Sequence, residues 1–112
     1  MYPPATHAIA QTRRDLAPQI QAAFDAFSRT VFAEGALSAK MKQVIALAVA
    51  HATQCPYCIK GHTEAALRSG ATREELMEAI WVAAQIRAGG TCAHSALAID
   101  VFDAEANVQE DP

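Results

Sequence analysis

The apolar residues of this chain recur at the α-helical period between clear turn signals, and nowhere do they alternate as a β-strand requires. That pattern predicts an all-α fold: about five helices with short connections in a single domain spanning 1–112. Residues 1 to about 10, with Pro3 and Pro4, read as a loose arm. A first helix is expected from about Asp15 to Ala33. Pro18 suits its first turn, where a missing N–H costs nothing, and Ile20, Phe24, Phe27 and Val31 should form its buried stripe. Gly35 supplies a stop. Ser38 is a good N-cap for a second helix reaching about Thr53, with Met41, Val44, Ile45, Ala48 and Ala52 on one face. Cys55 can cap, and Pro56 open, a third helix ending at Gly70. Thr72 and Glu75 form a capping box for a fourth, which carries Leu76, Ala79, Ile80, Ala83 and Ile86 and ends at Gly89-Gly90. A fifth, from about Thr91 to Ala104, carries Ala93, Leu97 and Val101. The acidic, polar tail over 105–112 is expected to fray.

Composition sharpens this. Apolar residues make up 52% of the 112 residues and charged ones only 19%. A domain this small has much surface to cover, so the surplus hydrophobe predicts an obligate oligomer. A net charge of -3 leaves no electrostatic footprint for nucleic acid. The longest unbroken apolar run, Val44 to Ala50, is far short of the ~20 residues of a membrane span. The N-terminal stretch lacks a secretory pattern, so the default expectation is the cytosol, where structural disulfides are rare. Three cysteines, an odd number, also fit a disulfide scaffold poorly.

The chemistry concentrates in His51-Ala-Thr-Gln-Cys55-Pro-Tyr-Cys58-Ile-Lys-Gly-His62. Two cysteines separated by two residues at a helix start can close a disulfide with little backbone motion. The free N–H groups and dipole there stabilise a thiolate. An ordinary thiol of pKa ≈ 8.5 is only ~3% ionised at pH 7, so such stabilisation matters to its rate of attack. His62 follows Cys58 by four residues, on the same helical face, where it can take the thiol proton or hold the thiolate. His51 precedes Cys55 by four residues and would place a second imidazole near that sulfur if the helix persists so far. Cys55 gains more from the helix terminus and Cys58 from the imidazole, so spacing alone leaves the order of the two sulfurs open.

Zinc competes with redox chemistry: Cys55, Cys58 and His62 could be three ligands, with His51 or His94 the fourth. There is no second CxxC or paired HxxxH to support it. His51 also suits a satisfied core or interface position. Gln43 reads as a solvated or interface polar residue, Cys92 as packing, and His94 as facing solvent or a neighbouring subunit. His7 belongs to the arm, and Trp81 reads as core or interface.

Helix two running into CPYC, then GH, then GATREELMEAIWVAAQIRAGG closely resembles the carboxymuconolactone decarboxylase-like superfamily, and within it the AhpD-like alkylhydroperoxidase branch. The resemblance covers about Leu37 to Val101. It implies an all-helical fold assembled into trimers or hexamers, and reduction of a hydroperoxide or a partner disulfide by the Cys pair. By position, Cys58 resembles the attacking sulfur, Cys55 the resolving one and His62 the general base. No metal or organic cofactor is implied; an external dithiol would restore the pair. Two positions depart from the pattern: Gln43 stands where a relay Glu is expected, and Tyr57 where a relay His is. Gln cannot shuttle a proton as a carboxylate can, and His51 is a candidate to compensate. The alternatives are a zinc-binding or redox-sensing helical oligomer, or a carboxymuconolactone-decarboxylase-type lyase; retention of CPYC argues against the last.

Overall fold

A computed structural model describes residues 2–110. Within them the chain is all-α, in five helices: α1 (His7–Leu16), α2 (Pro18–Phe32), α3 (Ala39–Thr53), α4 (Pro56–Arg68) and α5 (Arg73–Glu110). None of the described helices is long and apolar enough to cross a membrane.

The number of helices matches the expectation, but the N-terminal arm, the extent of the first helix, the stop at Gly89-Gly90 and the tail do not. The arm gives way to helix at His7, because Thr6 Oγ1 accepts the Ile9 N–H at 3.2 Å and caps α1. The single helix expected over Asp15 to Ala33 is broken at Ala17 (φ -147, ψ 68). A residue before proline is driven out of the α region, so Pro18 restarts the helix at its first position rather than continuing it. At the other end, Gly89-Gly90 stops nothing, and α5 runs through it for 38 residues. Two glycines weaken a helix by roughly 1 kcal/mol each, but they end it only where a left-handed turn is adopted. Thr91, which would have to cap a new helix, instead donates its hydroxyl back to the Arg87 carbonyl at 2.9 Å. Helix therefore also replaces the frayed tail as far as Glu110; 111–112 lie outside the described residues.

The caps expected from local sequence are present. Ser38 Oγ accepts from Met41 N at 3.0 Å, and Thr72 and Glu75 satisfy each other's N–H groups at 2.8 and 3.1 Å. The Thr72 N–H, and then Lys40 at 3.0 Å, hold the Glu75 carboxyl below its usual range. The stability it contributes is complete above the unfolded carboxylate pKa of about 4.3. It is lost as pH falls through the lower folded value. Gly70, at φ 95, closes α4: its N–H reaches Leu67 O and the Ala71 N–H reaches Ala66 O, both at 3.0 Å.

α3 is the centre of the fold and packs against both α4 and α5. Leu47, Ala66, Ala71 and Leu76 form the core, with Val44 against it; Ala50 and Ala83 are also buried. The small side chains on α4 and α5 let the helices close around Leu47, which is 1% exposed. Leu47→Ala is therefore expected to cost about 2–5 kcal/mol, read as a loss of denaturant or thermal stability at fixed protein concentration. A change within error would mean that this cluster does not hold the helices together.

On α3 the buried residues are Leu47 and Ala50; of the residues expected to share a face, Val44 packs against the core while Met41 and Ile45 are exposed. The stripe expected to be buried on α2 is also open, with Ile20, Phe24, Phe27 and Val31 between 42% and 75% exposed. Trp81, Ile86, Leu97 and Val101 on α5 are exposed too. The radius of gyration is 20.9 Å and the extents are 69 × 37 × 32 Å. A globular chain of this length would have a radius near 13 Å. The apolar faces of these helices lie outward, uncovered by the rest of the chain.

Candidate functional site

The site begins with a turn. α3 ends at Thr53, and Gln54 adopts the left-handed conformation (φ 57, ψ 47). Its N–H reaches His51 O at 3.3 Å, and the Cys55 N–H reaches Ala50 O at 3.1 Å. A left-handed non-glycine residue costs on the order of 1 kcal/mol. Here that turn delivers Cys55 to the N-cap of α4, with Pro56 at the first helical position. Arg87 of α5 donates to Ala52 O at 3.0 Å and fastens the end of α3 just before the turn.

Cys55 and Cys58 are free thiols with sulfurs 2.7 Å apart. Cys55 Sγ also accepts the Cys58 N–H at 3.3 Å, as an N-cap side chain does. The two sulfurs are electrostatically unequal. Donation by the Cys58 thiol, then by the backbone N–H groups of Cys58 and Tyr57, lowers the Cys55 pKa against a smaller opposing desolvation. Cys58 is raised, first because its proton is held by Cys55, then by burial and by the Cys55 charge. Cys55 is thus the more readily ionised of the two. Iodoacetamide labelling across roughly pH 6 to 9, with peptide mapping, should modify Cys55 below the ordinary thiol range and Cys58 only above it. In Cys55→Ser, Cys58 should fall back toward the ordinary value. Labelling of Cys58 first at low pH would reverse the order.

His62, half-buried one turn beyond Cys58, is held from two sides. Its Nδ1–H donates to Gln43 Oε1 on α3 at 2.8 Å, and its ring stacks on Phe32 of α2 (centroids 5.3 Å, planes 27° apart). Nδ1 is thereby the protonated nitrogen, which leaves the Nε2 lone pair free to accept. Gln43 is therefore not merely solvated: it orients the imidazole, as an uncharged acceptor. Cys58 and His62 open onto one cavity of about 490 Å³. Its remaining wall is mostly aliphatic and aromatic, including Val31, Phe32, Ile45 and Val49, with Lys42 and Thr53 as polar exceptions.

The other candidates fall elsewhere. His51 donates Nδ1–H to Leu47 O at 2.9 Å, a bond within its own helix. The helix linking it to Cys55 does not persist, because of the Gln54 turn, and among the described residues no hydrogen bond joins His51 to either thiol. Tyr57, expected at a relay position, points to the N-terminal segment: its hydroxyl donates to Pro3 O at 2.7 Å and its ring meets Tyr2 edge-on at 5.8 Å. Cys92 and His94 are exposed on α5. Among the described residues no three His, Cys, Asp or Glu side chains converge as a metal site needs, so the zinc set of Cys55, Cys58 and His62 with His51 or His94 is not assembled.

Residues 18–100 match the model of the carboxymuconolactone decarboxylase family. The chain is 54% identical over 101 residues to a Paracoccus denitrificans protein called "Uncharacterized protein 4 in cox locus", covering 90% of each. It is 33% identical over 87 residues to an uncharacterized protein of Cupriavidus necator, covering 78% of this chain and 77% of that one. Among solved structures it resembles the apo form of a carboxymuconolactone decarboxylase family protein from Legionella pneumophila, with TM-score 0.69, 32% identity and 86% of each chain covered. A Methanobacterium thermoautotrophicum protein is similar at TM-score 0.69 and 39% identity, over 76% of this chain and 94% of that one.

Proposed function

The chain belongs to the carboxymuconolactone decarboxylase family, and from that premise we propose that it is a dithiol–disulfide redox protein that reduces hydroperoxides or a partner's disulfide. The observation that carries this reading is the pair of free sulfurs 2.7 Å apart at the start of α4, one of them opening with His62 onto an apolar cavity.

The proposed steps use the cavity and the sulfur pair as their support. Cys58 is the attacking sulfur because it, and not Cys55, lines the cavity. The His62 Nε2 takes its proton, and the thiolate attacks the terminal oxygen of the hydroperoxide. The O–O bond breaks, a sulfenic acid forms on Cys58, and the leaving alkoxide takes the proton back from His62. The Cys55 thiol, the more readily ionised of the two, gives up its proton and attacks the Cys58 sulfur; hydroxide leaves, combines with that proton as water, and the disulfide closes. The pair has lost two electrons and the peroxide has gained them. An external dithiol reopens the disulfide by exchange, and no metal or organic cofactor takes part. His62 held by Gln43 is the base; a role for His51 would have to be exerted from its own helix. His51→Ala is therefore expected to leave the turnover rate and its pH profile unchanged.

The test is peroxide treatment of the reduced protein, followed by intact mass and thiol counting, with turnover measured against a supplied dithiol. The family's name favours a second reading, a decarboxylase-type lyase in which His62 transfers a proton inside the apolar cavity and the thiols are idle. Lyase turnover that survives Cys58→Ser would select it. Disulfide closure without turnover, accompanied by a change in sedimentation, would make the same pair a redox sensor.

A further inference from the structure

Lys42 is the one cationic side chain in the wall of the cavity that Cys58 and His62 share. Its ammonium donates to the Ala33 carbonyl at 2.6 Å, just past the end of α2, which fixes its position and uses one of three donors. Among the described residues no carboxylate pairs with it, whereas Lys40, two residues earlier, is paired with Glu75. Everything else in the wall is apolar apart from Thr53 and the reacting pair. An apolar cavity of this size falls within the range of small-molecule sites, which orient their ligands by a few placed polar groups.

We propose that Lys42 is the specificity-determining residue of this cavity, and that its ligand is an amphipathic monoanion. The hydrocarbon body would lie along Val31, Ile45 and Val49, with a carboxylate on the Lys42 ammonium. This rests on the redox reading only in naming the reacting end: an acid of this class carrying a hydroperoxide would present it to Cys58. The ligand class itself follows from charge complementarity and holds whatever the thiols do. A cation would meet the fixed Lys42 charge, and a neutral alcohol would leave two ammonium donors without an anionic acceptor. A charge-assisted hydrogen bond of this kind corresponds to about tenfold or more in affinity.

The experiment is calorimetric titration of the intact, reduced protein with octanoate, octanol and octylammonium. In parallel, the rate of iodoacetamide labelling is measured at Cys58 and Cys92. Octanoate should bind at least about tenfold more tightly than octanol, and octylammonium more weakly than either. Octanoate should slow labelling of Cys58 and leave Cys92 unchanged. Lys42→Met should bring octanoate down to the level of octanol, and Lys42→Arg should restore the preference. The wild-type comparison of the three probes stands even if a variant fails to fold. Equal binding of octanoate and octanol would overturn the proposal. So would unchanged binding in a folded Lys42→Met, absence of any binding because another copy of the chain fills the groove, or binding that leaves Cys58 labelling unaffected. Peroxide-driven disulfide closure is scored separately: if it occurs without octanoate binding, the redox reading stands and this one falls. Octanoate binding without closure has the opposite meaning.

Discussion

Peroxide should remove two hydrogens from the mass of the wild-type protein and leave one free thiol, Cys92, in place of three. Cys58→Ser should do neither, and should lower dithiol-supported turnover by at least about a thousandfold, because the attacking atom itself is gone. Cys55→Ser should behave differently in kind. Cys58 can still attack, but nothing adjacent resolves the product, so the mass should rise by one oxygen and turnover should stall after one event. The two variants together separate attack from resolution. If Cys58→Ser gains the oxygen and Cys55→Ser does not, the order of the sulfurs is inverted, with Cys55, the more readily ionised thiol, as the attacking atom. If neither thiol changes under peroxide, the redox proposal fails. Intact mass reads all of these outcomes without knowledge of the natural substrate.

The second large effect concerns assembly. Burial of a phenylalanine or leucine side chain stabilises by roughly 1.5–3 kcal/mol. This chain leaves Ile20, Phe24, Phe27, Trp81, Ile86 and Phe102 each at least 60% exposed. We expect sedimentation at micromolar concentration to report a trimer or hexamer. Phe24→Asp would place a carboxylate in an apolar contact and should weaken association by at least about a hundredfold. Phe24→Leu, which keeps the surface apolar, should remain assembled. A wild-type monomer with unchanged Phe24→Asp behaviour would leave the open faces without a purpose and overturn the expectation.

What could be read from the sequence was what depends on near neighbours. The Ser38 cap, Pro56 at the start of α4 behind Cys55, and the Thr72–Glu75 box are each set by residues within three positions of one another. The break at Ala17 obeys an equally local rule, but the run of apolar residues on either side masked it. Gly89-Gly90 misled in the other direction, since glycine's freedom permits a stop without enforcing one. The site's support was hidden for a different reason. Gln43 and Phe32 meet His62 from two other helices, Gln43 from 19 positions away, so no spacing along the chain announces either contact. The only hint came from the family resemblance, which puts Gln43 where a relay Glu is expected. The cavity was hidden too, because Lys42 and Val31 converge only once α2 has turned back at residues 33–37.

The long α5 has a consequence for how the molecule can be measured. Beyond Gly90, every residue from Thr91 to Val108 is exposed, so that half of the helix rests on nothing else in its own chain. Most helix stability in proteins comes from packing of an apolar face, and this stretch has none from its own chain. Its backbone amides should therefore exchange with deuterated solvent quickly in dilute protein and slowly in concentrated protein. Amides around Leu47 and Ala66, enclosed by their own chain, should respond much less to dilution. The far half of α5 is in that sense a built-in gauge of neighbours, read by the clock of hydrogen exchange.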